Sequence, residues 1–221
     1  MTASSEAKGA AADLPPVHVI GTGLIGASIG LALSSAGADV SLEDQSETSV
    51  ALARDLGAGR ITGEATPGLV VVAAPPDVTP RIVLAALERW PHAVVTDVAS
   101  VKQAILADLQ RAGAPLHRYV GSHPMAGRER SGAISARADL FEGRAWVLCP
   151  HEGSAAAATD LVARLARATG AAVTTLSAAD HDAAVAAVTH VPQVAASLVA
   201  ARLEHLSEQA IGLAGQGVRD V

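Results

Sequence analysis

The chain has 221 residues, a formal net charge of −6 from 22 acidic against 16 Lys and Arg side chains, and a single cysteine, Cys149. Without a long basic run it offers no surface for nucleic acid or an anionic membrane, which favours small-molecule chemistry. One cysteine excludes a disulfide framework and a cysteine-rich zinc site, so no metal is expected and a reducing cytoplasm suits it.

Residues 1–16 are Ala/Ser-rich, lack the apolar stretch of a secretory signal and read as a loose, disordered tail. From Val17 to about Leu176, short β-branched runs alternate with Ala/Leu-rich helical stretches, the pattern of a mainly parallel sheet with helices on both faces. Strands are expected at Val17–Ile20, Asp39–Glu43, Leu69–Ala73, Ala93–Thr96, Arg118–Gly121, Ala145–Leu148 and Ala172–Thr175. Helices are expected near Leu24–Ser35, Glu47–Leu56, Val78–Arg89, Val101–Arg111 and Ala155–Thr169. The doubly wound α/β domain therefore spans 17–176. Beyond it, Ala179 to about His205 reads as one long helix followed by a shorter one, so 177–221 is expected to begin an all-helical second domain. Its Ala/Val-rich stretch carries His190, Pro192 and Gln193, which are costly in lipid, and reads as a buried helix rather than a membrane span.

The first strand runs directly into Gly21-Thr22-Gly23-Leu24-Ile25-Gly26, a GxGxxG turn opening an apolar helix. Gly21 permits the tight turn, Gly23 lets the backbone approach a pyrophosphate, and Gly26 lets the helix lie against the strand. Helix N–H groups and the macrodipole then receive the phosphate. The second half of this Rossmann-type fingerprint is an acid closing the second strand about 20 residues on. Glu43 and Asp44 stand there; Asp44 is the choice for the adenosine ribose hydroxyls. A carboxylate there repels a 2′-phosphate, so NAD is expected over NADP. Ala74 and Pro75 follow the third expected strand at the carboxyl edge of the sheet, where the prolines either stiffen a cofactor loop or punctuate the next helix.

Two polar segments carry the chemistry. His123 opens His-Pro-Met-Ala-Gly at the end of a strand, and histidine is the side chain whose ordinary pKa suits general-base work near neutrality. Ser100 lies in Asp-Val-Ala-Ser-Val-Lys; by its local pattern it reads as the N-cap of a helix at Val101. Lys102 reads as a helix-surface charge and Cys149 as an inert small side chain. On the long helix His190, Gln193 and Ser197 share one face, which suggests a lined cavity or else a polar stripe meeting another polar surface, and Pro192 predicts a kink by removing an N–H from the ladder.

These segments, with His181-Asp182 and Thr189-His190-Val191-Pro192, resemble the prephenate and arogenate dehydrogenases in order and separation, from Val17 to Val221. The resemblance implies a cytoplasmic, NAD-dependent oxidative decarboxylation of prephenate to 4-hydroxyphenylpyruvate in tyrosine biosynthesis, with arogenate as the alternative substrate. It implies His123 as the base that takes the proton of the 4-hydroxyl and Ser100 as the residue that orients either the histidine or the hydroxyl. It also implies Glu129, His190 and Gln193 around the substrate. A solvated acid between Arg128 and Arg130 is the competing reading of Glu129. Gln193 stands where the family often has histidine, which opens the identity of the substrate side chain.

Gly217 to Val221 resembles the start of a family segment that continues into a substrate-clamping arginine and further helices, so a truncated second domain is expected. A homodimer is implied where that domain is complete. Two alternatives stand beside the enzyme reading: a non-catalytic NAD-binding module, and a β-hydroxyacid-type dehydrogenase. The latter is disfavoured because no lysine follows Gln103.

Overall fold

A computed structural model of the chain describes residues 11, 13–62, 66–127, 132–190, 194, 196–198, 200 and 201. Eight strands form one sheet: β1 (Val17–Ile20), β2 (Val40–Glu43), β3 (Arg60–Ile61), β4 (Leu69–Val72), β5 (Val94–Asp97), β6 (Tyr119–Pro124), β7 (Ala145–Cys149) and β8 (Ala172–Thr175). Their spatial order is β3-β2-β1-β4-β5-β6-β7-β8. The first six are parallel, β7 runs antiparallel to β6, and β8 is parallel to β7. The helices are α1 (Leu24–Ser35), α2 (Glu47–Asp55), α3 (Thr79–Arg89), α4 (Gln103–Arg111), α5 (Ala156–Ala168) and α6 (Ala178–Val185).

Side chains alternate across the strands, so a sheet covered on both sides needs apolar residues at every position. Val17, Val19, Leu69 and Val71 pack with α1, α2 and α5 on one face. Val70, Val72 and Val95 pack with α3 and α4 on the other. The all-valine interior of β4, buried at each residue, is the sequence expression of that double cover.

Several expectations are corrected. The edge strand β3 has no counterpart among the expected strands, because two exposed residues carry no alternation. β6 continues to Pro124 because β7 pairs with it, His123 opposite Val147, so the histidine lies within a strand rather than after one. Packing begins before Val17: Ala11 is buried in the core, Leu14 packs against it, and the Pro16 carbonyl accepts from Gly68 N–H at 2.9 Å. The expected helix from Ala179 is interrupted by a π-helical turn at Ala186–His190. Pro192, where the sequence predicts a kink, lies outside the described residues. Among the described residues, no helix is long and apolar enough to cross a membrane.

Candidate active site

The turn after β1 is held by close backbone packing. Gly21 has φ of 96°, and a Cβ there would lie 2.3 Å from the Ala73 carbonyl oxygen. At Gly26 a Cβ would lie 1.9 Å from the Gly21 oxygen, so the start of α1 can sit against the turn only without a side chain. Gly23 differs: nothing lies within 4 Å of its missing Cβ. It is also the N-cap of α1, with no side chain capping the helix and no acid in its first turn, and it lines the opening described next.

This turn opens into a cleft of about 850 Å³ between β1, the end of β2 and α3. Gly21, Gly23, Asp44, Ala74, Pro75, Ile82 and Ala85 are among its walls. The Asp44 carboxylate is fixed at one end: Oδ2 accepts from Thr22 N–H at 2.6 Å and Thr22 Oγ1 at 2.9 Å, and Oδ1 from Ser46 N–H at 2.9 Å. Glu43, its neighbour, points to a different set. Its Oε2 meets Arg89 at 2.8 Å and His18 Nε2 at 3.2 Å, and Arg89 lies 4.4 Å over the Trp90 ring. Burial lowers the His18 pKa; the hydrogen bond and charge of Glu43 oppose this, and the charge of Arg89 adds to it.

His123 and Ser100 do not line that cleft. They lie at the same carboxyl edge of the sheet, on and beside strands farther along it. β6 is the third strand from β1, a lateral distance of about 14 Å at about 4.8 Å per strand. His123 is half-buried, and its Nδ1 meets His181 Nε2 at 2.9 Å, the rings edge-on with centroids 5.1 Å apart. His181 Nδ1 in turn meets Asp182 Oδ1 at 2.8 Å. Asp182 also accepts from the backbone N–H of Lys102 at 2.8 Å and Gln103 at 2.9 Å, capping α4 from a distant segment. Burial acts to raise the Asp182 pKa, but the hydrogen bonds from Gln103, His181 and Lys102 outweigh it and hold the carboxyl below its ordinary range.

The helix-cap reading of Ser100 is thereby corrected. α4 begins at Gln103, after an N-cap Lys102 that has no side-chain cap bond, and Asp182 does the capping. No hydrogen bond joins Ser100 to His123 among the described residues; His181 holds the ring instead. Lys102 is not a surface charge either. It is 1% exposed, and its ammonium pairs with the fully buried Asp97 and donates to the Ser122 carbonyl at 2.8 Å. Tyr119 O–H donates to the other Asp97 oxygen at 2.6 Å, so this ion pair underpins β6 just below His123. Cys149 is buried, and that burial, the largest influence, pushes its thiol up to about 12, in keeping with an inert role. His190 lies in the π-helical turn, its side chain outside the described residues; Glu129 and Gln193 fall outside them altogether. No group of three or more potential metal ligands occurs among the described residues.

Strand order, glycine turn and acid at the end of β2 define a Rossmann-type nucleotide-binding fold. A family profile described as "Prephenate dehydrogenase, nucleotide-binding domain" matches residues 29–175, and the chain belongs to that family. It is 42% identical over 200 residues to a probable prephenate dehydrogenase, NovF, of Streptomyces niveus, covering 89% of this chain and 55% of that one. It is 31% identical over 225 residues to the prephenate dehydrogenase of Bacillus subtilis, covering 93% and 59%. The chain thus spans little more than half the length of these relatives. Among solved structures, it superposes on the Aquifex aeolicus prephenate dehydrogenase in complex with hydroxyphenyl propionate and NAD+ with a TM-score of 0.83, 27% identity, and coverage of 94% of this chain and 77% of that one. The Synechocystis arogenate dehydrogenase gives a TM-score of 0.78 at 27% identity, covering 93% and 77%.

Proposed function

We propose that this chain is the nucleotide-binding portion, with the start of the helical portion over residues 177–221, of an NAD-dependent prephenate dehydrogenase. The observation that carries the reading is the alignment of two features on one sheet edge: the glycine turn with its open cleft, and the strand-borne His123 braced by His181.

The cleft fits a dinucleotide. The empty space at Gly23 and the uncapped α1 N-terminus suit a pyrophosphate, and Asp44 suits ribose hydroxyls while repelling a 2′-phosphate. When bound, NAD supplies the hydride acceptor, and loss of the ring carboxylate as CO2 with aromatisation supplies driving force. His123 takes the proton of the substrate 4-hydroxyl, an assistance that typically amounts to about 10²–10⁴-fold. Ser100, in the β5–α4 loop after the strand that neighbours β6, is a candidate for contact with that hydroxyl, and Glu129, His190 and Gln193 for the rest of the substrate.

The exposed Val194 and Leu198, four residues apart on the terminal helical segment, support burial against further helices or a second copy, hence a homodimer for the complete protein. A single buried thiol suits the cytoplasm. The test is NADH formation at 340 nm with prephenate and arogenate in parallel, with this chain and with forms extended at the C-terminus. NADH from prephenate supports the proposal, and NADH from arogenate alone moves it to that substrate. NAD binding without turnover in any form selects a non-catalytic module.

A further inference from the structure

Asp182 has three hydrogen-bonding neighbours, and together they constrain where protons sit. Two are backbone N–H groups of α4, at 2.8 and 2.9 Å, and the third is His181 Nδ1 at 2.8 Å. A carboxylate can only accept, so the His181 nitrogen facing it carries the proton. In a neutral ring the other nitrogen, Nε2, is then a lone pair. That lone pair lies 2.9 Å from His123 Nδ1, and the contact is a hydrogen bond only if His123 is protonated on Nδ1. A neutral His123 of that tautomer holds its own lone pair on Nε2. The tautomer of one histidine is thus fixed through a second one by a carboxylate that also caps a helix. His181 is 0% exposed, so water does not compete for its ring nitrogens.

We propose that His181 and Asp182 are positioning residues that lock His123 in the Nδ1–H tautomer and so direct the Nε2 lone pair to the substrate hydroxyl. The lock itself needs no substrate; its use in catalysis rests on the dehydrogenase reading above. In that use the hydroxyl proton passes to Nε2 as the hydride departs to NAD. It returns to the same oxygen when CO2 leaves and the ring aromatises, so no net proton is exchanged. The positive charge on His123 in between is balanced by Asp182 one ring away, the logic of a carboxylate-oriented base with one imidazole interposed. A doubly protonated His181 is the competing arrangement: His123 Nδ1 would then accept, its proton would sit on Nε2, and it could not act as base.

The test is ¹⁵N NMR of the histidine rings in the full chain, with His123→Phe to identify the His123 signals. Wild type is expected to give a protonated Nδ1 and a bare Nε2 at both His123 and His181 near neutral pH. His181→Leu should admit the Nε2–H form of His123, and His181→Gln, whose Oε1 can accept in place of Nε2, should restore the lock. Asp182→Asn, which keeps an oxygen for only one of the two α4 N–H groups and removes the charge facing His181, should likewise admit the Nε2–H form of His123 and gives a second reading should the leucine variant not fold. In a form of the protein that turns over, His181→Leu should lower kcat by roughly 10–100-fold with KM little changed, and His181→Gln should recover most of it. An Nε2–H tautomer at wild-type His123, a doubly protonated His181, or a His123 tautomer indifferent to the folded variants would overturn the proposal. A locked tautomer in a protein that makes no NADH from either substrate would sink the enzyme reading while leaving the lock intact.

Discussion

Lys102, at the start of α4, turns its ammonium inward onto the carboxylate of Asp97 at the end of β5, and the two side chains are 1% and 0% exposed. Asp97 also accepts from Tyr119 O–H and from Ala99 N–H, and Lys102 donates to the Ser122 carbonyl. Every element of this network borders β6, the strand that carries His123. Burial, with the nearby Asp97 charge and hydrogen bond, raises the Tyr119 pKa well above its ordinary value, so Tyr119 stays a donor.

Removing one partner leaves an uncompensated charge in the interior. Lys102→Met should therefore destabilise the fold by about 3–5 kcal/mol in a urea titration, well beyond the loss expected for a surface lysine. A loss within about 0.5 kcal/mol would show that Asp97 is held without its partner.

The two glycines flanking Leu24 and Ile25 should behave differently when given a methyl group. Gly26→Ala places Cβ 1.9 Å from a backbone oxygen, so α1 must move, costing roughly 1–3 kcal/mol of stability along with nucleotide binding. Gly23→Ala meets nothing within 4 Å and has extended backbone, φ −67° and ψ −165°, that alanine adopts. Its stability should fall by at most about 1 kcal/mol, while NAD affinity falls at least about tenfold because the methyl occupies the phosphate's place. Calorimetric titration with thermal melts of both variants separates the effects.

The parallel sheet, its helices and the glycine turn were legible because each is written locally, in alternation, periodicity or a six-residue motif. The contacts around His123 were not. His181 lies 58 residues from His123, and Asp182 lies 80 and 79 residues from the α4 N–H groups it caps. The dipeptide His181-Asp182 was visible in the sequence, but nothing local distinguishes a buried brace from a polar helix start. Lys102 departs from its expected surface position for the same reason: its partner Asp97 is close in sequence, yet its burial depends on β6 and Tyr119 closing over it. Asp44 was the opposite case: its position could be read from its spacing from the glycines, and it stands at the end of the cleft.

Asp44 should govern the choice of coenzyme. Its two oxygens accept from Thr22 and Ser46 N–H groups, so Asp44→Asn keeps the shape but removes the charge and turns one acceptor into a donor. Loss of charged hydrogen bonds to ribose, worth about 1.5–3 kcal/mol, should weaken NAD binding by roughly 10–150-fold and narrow its advantage over NADP. An unchanged ratio of the two dissociation constants would assign the ribose contact elsewhere.

Cys149 should resist alkylation. With burial pushing its thiol up to about 12, almost none is thiolate at pH 8, and the sulfur is also sterically enclosed. Mass spectrometry after iodoacetamide should find it unmodified in the native protein and modified in urea; rapid native labelling would mean that β7 opens readily.

His18 should make stability depend on pH near neutrality. In the fold it is 1% exposed, packed at a tilt with its ring centroid 5.0 Å from that of Trp90 and bonded to Ser41 Oγ at 2.8 Å. Burial lowers its pKa despite the opposing charge of Glu43, whereas in the unfolded chain it titrates at its ordinary value of about 6.5. Between the lowered value and about 6.5 the unfolded state therefore binds more protons, and stability must rise with pH across that window. Below the lowered value both states are protonated and this dependence ends; above about 6.5 both are neutral. His18→Gln, which keeps a polar group for Ser41 and Glu43, should flatten the slope in that window while leaving the acid limb from carboxylates such as Asp182 in place. Urea titrations of both proteins at half-unit steps from pH 4 to pH 8 measure it. A slope that survives the substitution would mean that another group carries the titration and that Glu43 and Arg89 balance each other without His18.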